Sequence, residues 1–564
     1  MGAARIETVD DGVGTYTYTY GDNGGLPTSI DVGLPSGPDV FTLAYDNQGN
    51  PVTVTYPNGT VATRTFDEQG IPQTRSYANA GTPILGFTQT TDVDGRVTAQ
   101  TSTGSAQDFT YDALGRLIKV NDTRDGACTT RVYGFNATSE RTSKTTYGPD
   151  TNNGCQTTTS AASWTGTYDT GNRVTNTGYT YDNLGRTRTT PLADVAAGGA
   201  MGALTTTYYP NDMVATLSQP VDNGTGTAVT KTNTYSLDPA GRIDQITTTQ
   251  AGSETQRLKY RFAGTGDSPS SIATSTNAGA NWTTTRYLQI PGIGMTGNTT
   301  NSTTEWALPN LHGDTVATQP NTTGATTLAT YSETDEYGAP LTNTTTGRYG
   351  YLGTHQRSAD TLGGLTLMGA RLYNPGTGNF LSNDPIQGGG ANRYSYPGDP
   401  VNESDMTGKS WDIDSRPLYD ACRKYAGRVR CFVAMNALGH LLGGSFAATK
   451  FGVSRNEANA GRHFAMIVFL SLYISPSAAF AITLAHEGTS EKPEDSRRDM
   501  GNNVYAMGWF ARHEAYARKN VGEFLDLRDL PWLFWHGVSL YRRGYMWSVC
   551  PISGGKKKAV NGLC

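Results

Sequence analysis

Tyr111-Asp112-Ala113-Leu114-Gly115-Arg116-Leu117 and Tyr181-Asp182-Asn183-Leu184-Gly185-Arg186 are two copies of one short pattern: aromatic, aspartate, two variable residues, glycine, arginine. Tyr45-Asp46 with Gly49 and Phe66-Asp67 with Gly70 repeat it without the arginine, and Asp94-Gly95-Arg96 keeps its second half. The glycines at 49, 70, 95 and 115 are 21, 25 and 20 residues apart, about the length of one β-hairpin. At such a turn the Asp side chain caps backbone N–H groups and the Gly supplies a positive φ. The aromatic ring packs across to the next hairpin. One hairpin cannot bury its apolar face alone, so the copies must stack.

The flanking sequence agrees. Tyr16 to Tyr20, Val52 to Tyr56 and Leu204 to Tyr209 alternate with period two and end at Gly, Asn, Asp or Pro, the signature of short antiparallel strands. Composition changes near residue 408. The last 156 residues carry 21 Lys and Arg against 13 Asp and Glu, a balance of +8, which leaves 23 against 36, or −13, before them. Five of the seven His (His440, His463, His486, His513, His536) also lie in that tail. A basic tail suits a nucleic-acid or anionic-membrane target, and equally a basic cargo held by an acidic container. The opening MGAARIETVDDGVG has neither a basic nor an apolar signal region, so export is not readable from it. Cys128 and Cys155 lie in polar surroundings, where a disulfide and two free thiols are both consistent with the sequence.

The Tyr-Asp-x-Leu-Gly-Arg copies resemble the repeat of Rhs/YD-repeat polymorphic toxins, which implies a spiral antiparallel β-sheet forming a hollow cocoon. The stretch Tyr351-Leu-Gly353, Gln356-Arg357, Gly364-Leu365, Met368-Gly-Ala-Arg371-Leu-Tyr373, Gly378-Asn-Phe380-Leu-Ser382, Asp384-Pro385 and Tyr394-Ser-Tyr396 resembles that family's core-associated segment, which plugs the cocoon. The resemblance implies a multidomain chain: an all-β shell over residues 1–348, the core segment over 349–408, and a mainly α-helical toxin domain over 409–564. It also implies self-cleavage after an Asp-Pro-x-Gly-Leu-like sequence, represented here by Asp405-Met-Thr-Gly408-Lys409. Met406 departs from the usual Pro, Lys409 from the usual apolar residue, and Asn379 from an Arg. Two carboxylates in a dry site can share a proton and act as acid and base on a neighbouring peptide. Asp384 and Asp405 are the candidates, with Asp399 third; as isolated residues, such aspartates also commonly cap turns.

The tail reads as helices over Leu418 to Leu442, Arg455 to Leu470, Asp499 to Lys519 and Leu530 to Tyr545, punctuated by Gly443-Gly444, Pro476 and Pro493. Asn459 with His463, and Asp499 with Asn502 and Asn503, stand at helical spacing. Ala485-His486-Glu487 lies between the two sets. This three-part pattern resembles an uncharacterised all-α domain at the ends of bacterial secreted toxins. Asn459, Arg462, His463, His486, Glu487, Asp499 and Asn503 would then form one site. Two His, an acid and an Arg suit acid/base hydrolysis of a phosphodiester. No cofactor motif is evident, and a divalent metal held by His463, His486 and Asp499 is the alternative. Isolated His and Asn residues that cap neighbouring helices would give the same composition without a site.

The leading expectation is therefore a secreted or cell-surface toxin of interbacterial competition, with a nuclease or other hydrolase delivered to the target cytoplasm. The partners implied are its own β-shell, a cognate immunity protein, a nucleic-acid substrate and a secretion machinery. The uncharged Phe464 to Ala485 run is long enough to span a bilayer and carries the rival expectation of a membrane-inserting or pore-forming toxin, although Pro476 divides it. A wall-associated repeat protein without an enzymatic tail is the third reading.

Overall fold

The computed structural model describes residues 6–409, apart from 22–25, 48, 68–70, 93–94, 196–197, 342–346 and 386–390. The chain divides into two compact units, Met1–Asp412 and Ile413–Cys564. The second, with every helix expected of the tail, lies outside the described residues. Within the first, fourteen strands from Thr8–Asp10 to Ser160–Thr165 form one sheet, and thirteen from Thr180–Tyr181 to Thr330–Tyr331 form another. Each strand pairs antiparallel with its neighbour in sequence. Helix among the described residues is limited to three single 3-10 turns.

The repeated turn explains the order. Asp112 Oδ1 accepts the Leu114 and Arg116 N–H groups, both at 2.9 Å, and Oδ2 accepts Arg116 Nε at 2.7 Å. Gly115 stands at φ +79, a left-handed position that closes the turn without strain. Asp182 and Gly185, and Asp238 and Gly241, repeat this arrangement. The arginine then reaches forward. Arg96, Arg116, Arg173, Arg186 and Arg242 lie over the rings of Tyr111, Phe135, Tyr181, Tyr208 and Phe262, at 4.1 to 5.5 Å from the centroid. Each ring immediately precedes the next turn. Where it is a tyrosine, its hydroxyl donates back to the residue that follows the arginine: Tyr111 to Val97 O at 2.6 Å, Tyr181 to Val174 O at 2.9 Å, Tyr208 to Thr187 O at 2.9 Å. Asp holds Arg, Arg holds the next ring, and the ring holds the strand that Arg began.

Alternation supplies the layers. Val40–Tyr45 exposes Val40, Thr42 and Ala44 and buries Phe41 and Leu43. Outward threonines pair across strands, as in Thr65 with Thr74 and Thr285 with Thr300, both at 2.7 Å. Inward, early strands of the first sheet meet late strands of the second: Phe41, Tyr56 and Tyr77 cluster with Leu288, Trp306 and Leu308. Trp306 is fully buried and meets Phe41 edge-on at 5.1 Å. Cys128 and Cys155 form a disulfide, resolving the open choice in favour of the bridge.

The segment from 349 onward packs on both sheets. Tyr351, Met368, Tyr373, Phe380 and Tyr396 join Leu117, Val120 and Tyr133 of the first. Tyr349, Leu362, Leu365, Leu372 and Leu381 join Leu217, Tyr235 and Ile246 of the second. Its backbone docks through a consequence of the repeat. The strand entering such a turn carries a register shift at its last residue, aromatic at Tyr111, Tyr181 and Tyr208 but Thr91, Leu237 and Pro309 elsewhere. Such a bulge leaves the next strand's first N–H outside the ladder. The core segment accepts these groups: Val97 N–H by Asn402 Oδ1 at 2.9 Å, Leu117 by Gly398 O at 2.9 Å, Thr187 by Leu381 O at 2.7 Å, Thr315 by Gly350 O at 2.9 Å.

Asp182→Ala removes the acceptor for two backbone groups and one of the two carboxylates that hold Arg186 over its ring, leaving Asp212 and Tyr209 O. We expect a loss of about 2–3 kcal/mol, read as a lower Tm of the full chain. Arg186→Lys, which keeps the charge without the planar fork, loses part of that.

Candidate functional site

Near its end the core segment lays its chain across its own first hairpin, Thr366–Met368 paired with Arg371–Asn374. Ala370 N–H donates to Thr407 O at 2.9 Å. Gly408 stands at φ +61, and a Cβ there would lie 2.2 Å from Met368 O, so only glycine fits. Asp405 is fully buried. Its Oδ1 accepts Gly408 N–H at 2.7 Å and Thr407 N–H at 3.3 Å, which folds Asp405-Met-Thr-Gly408 into a tight turn.

One guanidinium joins two of the three candidate aspartates. Arg371 Nη2 donates to Asp405 Oδ2 at 2.7 Å and to Asp384 Oδ2 at 3.2 Å. Arg371 also stacks on Phe380, 3.6 Å from its centroid. Burial pushes the Asp405 carboxyl above the usual carboxylate range, against the pull of Arg371, and draws Arg371 below its ordinary value. Both partners are thus drawn toward neutrality by a dry setting. What joins the two carboxylates is the Arg371 guanidinium, to which the sequence reading assigned no role.

Asp399 sits elsewhere in the segment. It accepts Asn402 Nδ2 at 2.8 Å and Asn402 N–H at 3.3 Å, while Asn402 also donates to Tyr111 Oη at 3.0 Å. Burial lifts its carboxyl to about 6. Of the departures in the motif, Asn379 is buried and donates to Tyr168 Oη at 3.3 Å and Thr377 O at 3.1 Å. Met406 packs on the aromatic cluster, and Lys409 is exposed. Asn459, Arg462, His463, His486, Glu487, Asp499 and Asn503 lie outside the described residues.

A family model described as RHS Repeat matches residues 92–127, the stretch that holds the Asp92–Arg96 and Asp112–Arg116 turns. No curated protein matches the chain. Among solved structures, the Photorhabdus luminescens Tc holotoxin pore superposes with a TM-score of 0.54 at 14% identity, over 71% of this chain and 21% of that one. The TcdB2-TccC3-TEV crystal structure matches at a TM-score of 0.42 and 15% identity, over 70% of this chain and 21% of that one. The chain therefore spans about a fifth of the length of these structures, and the first likeness is one of fold.

Asp399 yields a pH prediction. Because its folded value is raised, its contribution to stability is fully present below the ordinary carboxylate range and is lost as pH rises through about 6. Asp399→Asn removes the buried charge, so the variant should melt higher than wild type at pH 7.5, by on the order of 2 kcal/mol. The gap should close by pH 4 in thermal unfolding of the full chain.

Proposed function

Because the chain is an RHS/YD-repeat protein with the β-shell fold, we propose that residues 1–408 are the container of a toxin and residues 409–564 the toxin itself, freed by self-cleavage at the exit of the core segment. The observation that carries this reading is the buried Asp405–Arg371–Asp384 cluster at the exit turn, four residues before the basic tail begins at Lys409. Peptide hydrolysis needs a base to take a proton from water and an acid to supply one to the departing nitrogen. We assign these roles among Asp384, Asp399 and Asp405. Arg371 holds two of them, and burial brings Asp399 close to the pH at which it can both give and take a proton. Gly408 keeps the exit chain against Met368 and Arg371.

The polarity of the chain supports storage: a tail of +8 follows residues of −13. For the tail we propose a hydrolase, a nuclease by preference, with His463 and His486 as acid and base, Arg462 countering phosphate charge, and Asn459, Glu487, Asp499 and Asn503 completing the site. Its class of activity is interbacterial toxicity, its natural counterpart an immunity protein in the producer, and its delivery secretion into a target cell.

Inducible expression of residues 409–564 in bacteria tests the cargo. We expect growth arrest with degraded DNA or RNA, abolished by His463→Ala or His486→Ala. Arrest with intact nucleic acid would redirect the reading to Phe464 to Ala485 and the membrane. Unimpaired growth would remove the toxin reading of the tail.

A further inference from the structure

Two arginines face each other in the shell without an acid between them. Strands Thr60–Phe66 and Pro72–Asn79 pair antiparallel, and Arg64 is directly opposite Arg75. Arg64 is on the inward face with Thr60 and Ala62, and only 8% of it is exposed. Like charges directly across a ladder repel, and a buried cation without a counter-charge is costly. The second Arg is only partly engaged: Arg75 Nη1 donates to Pro309 O and Asn310 O. The Nε–H groups of both arginines are buried with no acceptor among the described residues.

No carboxylate neutralises Arg64. The charged and titratable groups acting on Arg64 are Arg75, Tyr56 and Tyr77, and no carboxylate is among them. The tyrosine hydroxyls are already committed, Tyr56 donating to Ala307 O at 3.2 Å and Tyr77 to Pro309 O at 2.8 Å. Burial, and then Arg75, lower Arg64 to about 10, which leaves it protonated at neutral pH.

We propose that Arg64 and Arg75 form an anion-binding site on the inner face of the first sheet, taking a group with at least two acceptor oxygens, a phosphate or a carboxylate. A guanidinium offers Nε–H and Nη–H as a parallel pair, the geometry that such oxyanions accept two at a time. The unfilled Nε–H groups are the donors such a ligand would engage. Tyr56 and Tyr77, each donating to a backbone carbonyl of the second sheet, are buried close enough to act on Arg64, a setting in which an unpaired charge is felt strongly. This reading is independent of self-cleavage and of the tail.

Thermal unfolding of the full chain in chloride buffer at constant ionic strength tests it, with sodium phosphate or sodium acetate as the added probe. Phosphate should raise Tm by about 2–4 °C and saturate. A matching rise with acetate would extend the ligand class to carboxylates, and a rise with phosphate alone would restrict it to phosphate. Arg64→Met should abolish the increment, yet melt in chloride at least as high as wild type, because it removes an unpaired buried charge. Arg64→Lys should keep only part of the increment. No rise in the wild type would overturn the proposal. So would an Arg64→Met protein that is unfolded or much less stable in chloride, since Arg64 would then have a partner within the fold.

Discussion

Five turns lay their arginine over the aromatic ring of the next, and on this contact the stacking of those copies depends. A hairpin with one apolar face gains little alone, and this contact makes each copy complete the one after it. Asp112 fixes Arg116, Arg116 covers Phe135, and the same sequence recurs from Arg186 to Tyr208 and from Arg242 to Phe262. Each contact is worth only about 0.5–2 kcal/mol. Its directionality matters more: each of these turns reaches only forward, in keeping with the strand order, which follows the sequence order in both sheets.

The same turns prepare the place of the core segment. Register shifts at Thr91, Tyr111, Tyr181 and Pro309 each strand one N–H of the strand that follows, and Asn402, Gly398, Leu381 and Gly350 supply the acceptors. The segment is thus specified by the irregularities of the repeat as much as by apolar contact. Its last turn ends on the buried Asp405, whose partner Arg371 comes from the segment's own hairpin. The site therefore depends on the segment being docked, which ties any chemistry at Gly408 to a folded shell.

Much of this was legible. The capping Asp, the positive-φ Gly, the alternation and the core segment all stand in the sequence, because each is a local requirement written in residue type. The forward reach of Arg116 was not, since an exposed-looking Arg after Gly reads as a solvated turn residue. Arg371 was visible as a motif position but not as the link between Asp384 and Asp405, which are 13 and 34 residues away. The pairing of Cys128 with Cys155 rests on how the intervening hairpin folds back, and spacing alone leaves it open. Arg64 and Arg75 look like ordinary strand arginines until register places them opposite each other. The tail's seven candidate residues lie outside the described residues, so their convergence still rests on helical spacing.

The account stands or falls on whether the folded chain cuts itself at the exit turn. Intact-mass analysis of the purified full-length protein, beside Asp384→Asn and Asp405→Asn, measures this directly. The account predicts two fragments in the wild type, from a single cut between residues 405 and 410, and one uncut mass in each variant that still folds. A wild-type chain that stays whole, or a cut that persists unchanged in both variants, would contradict it.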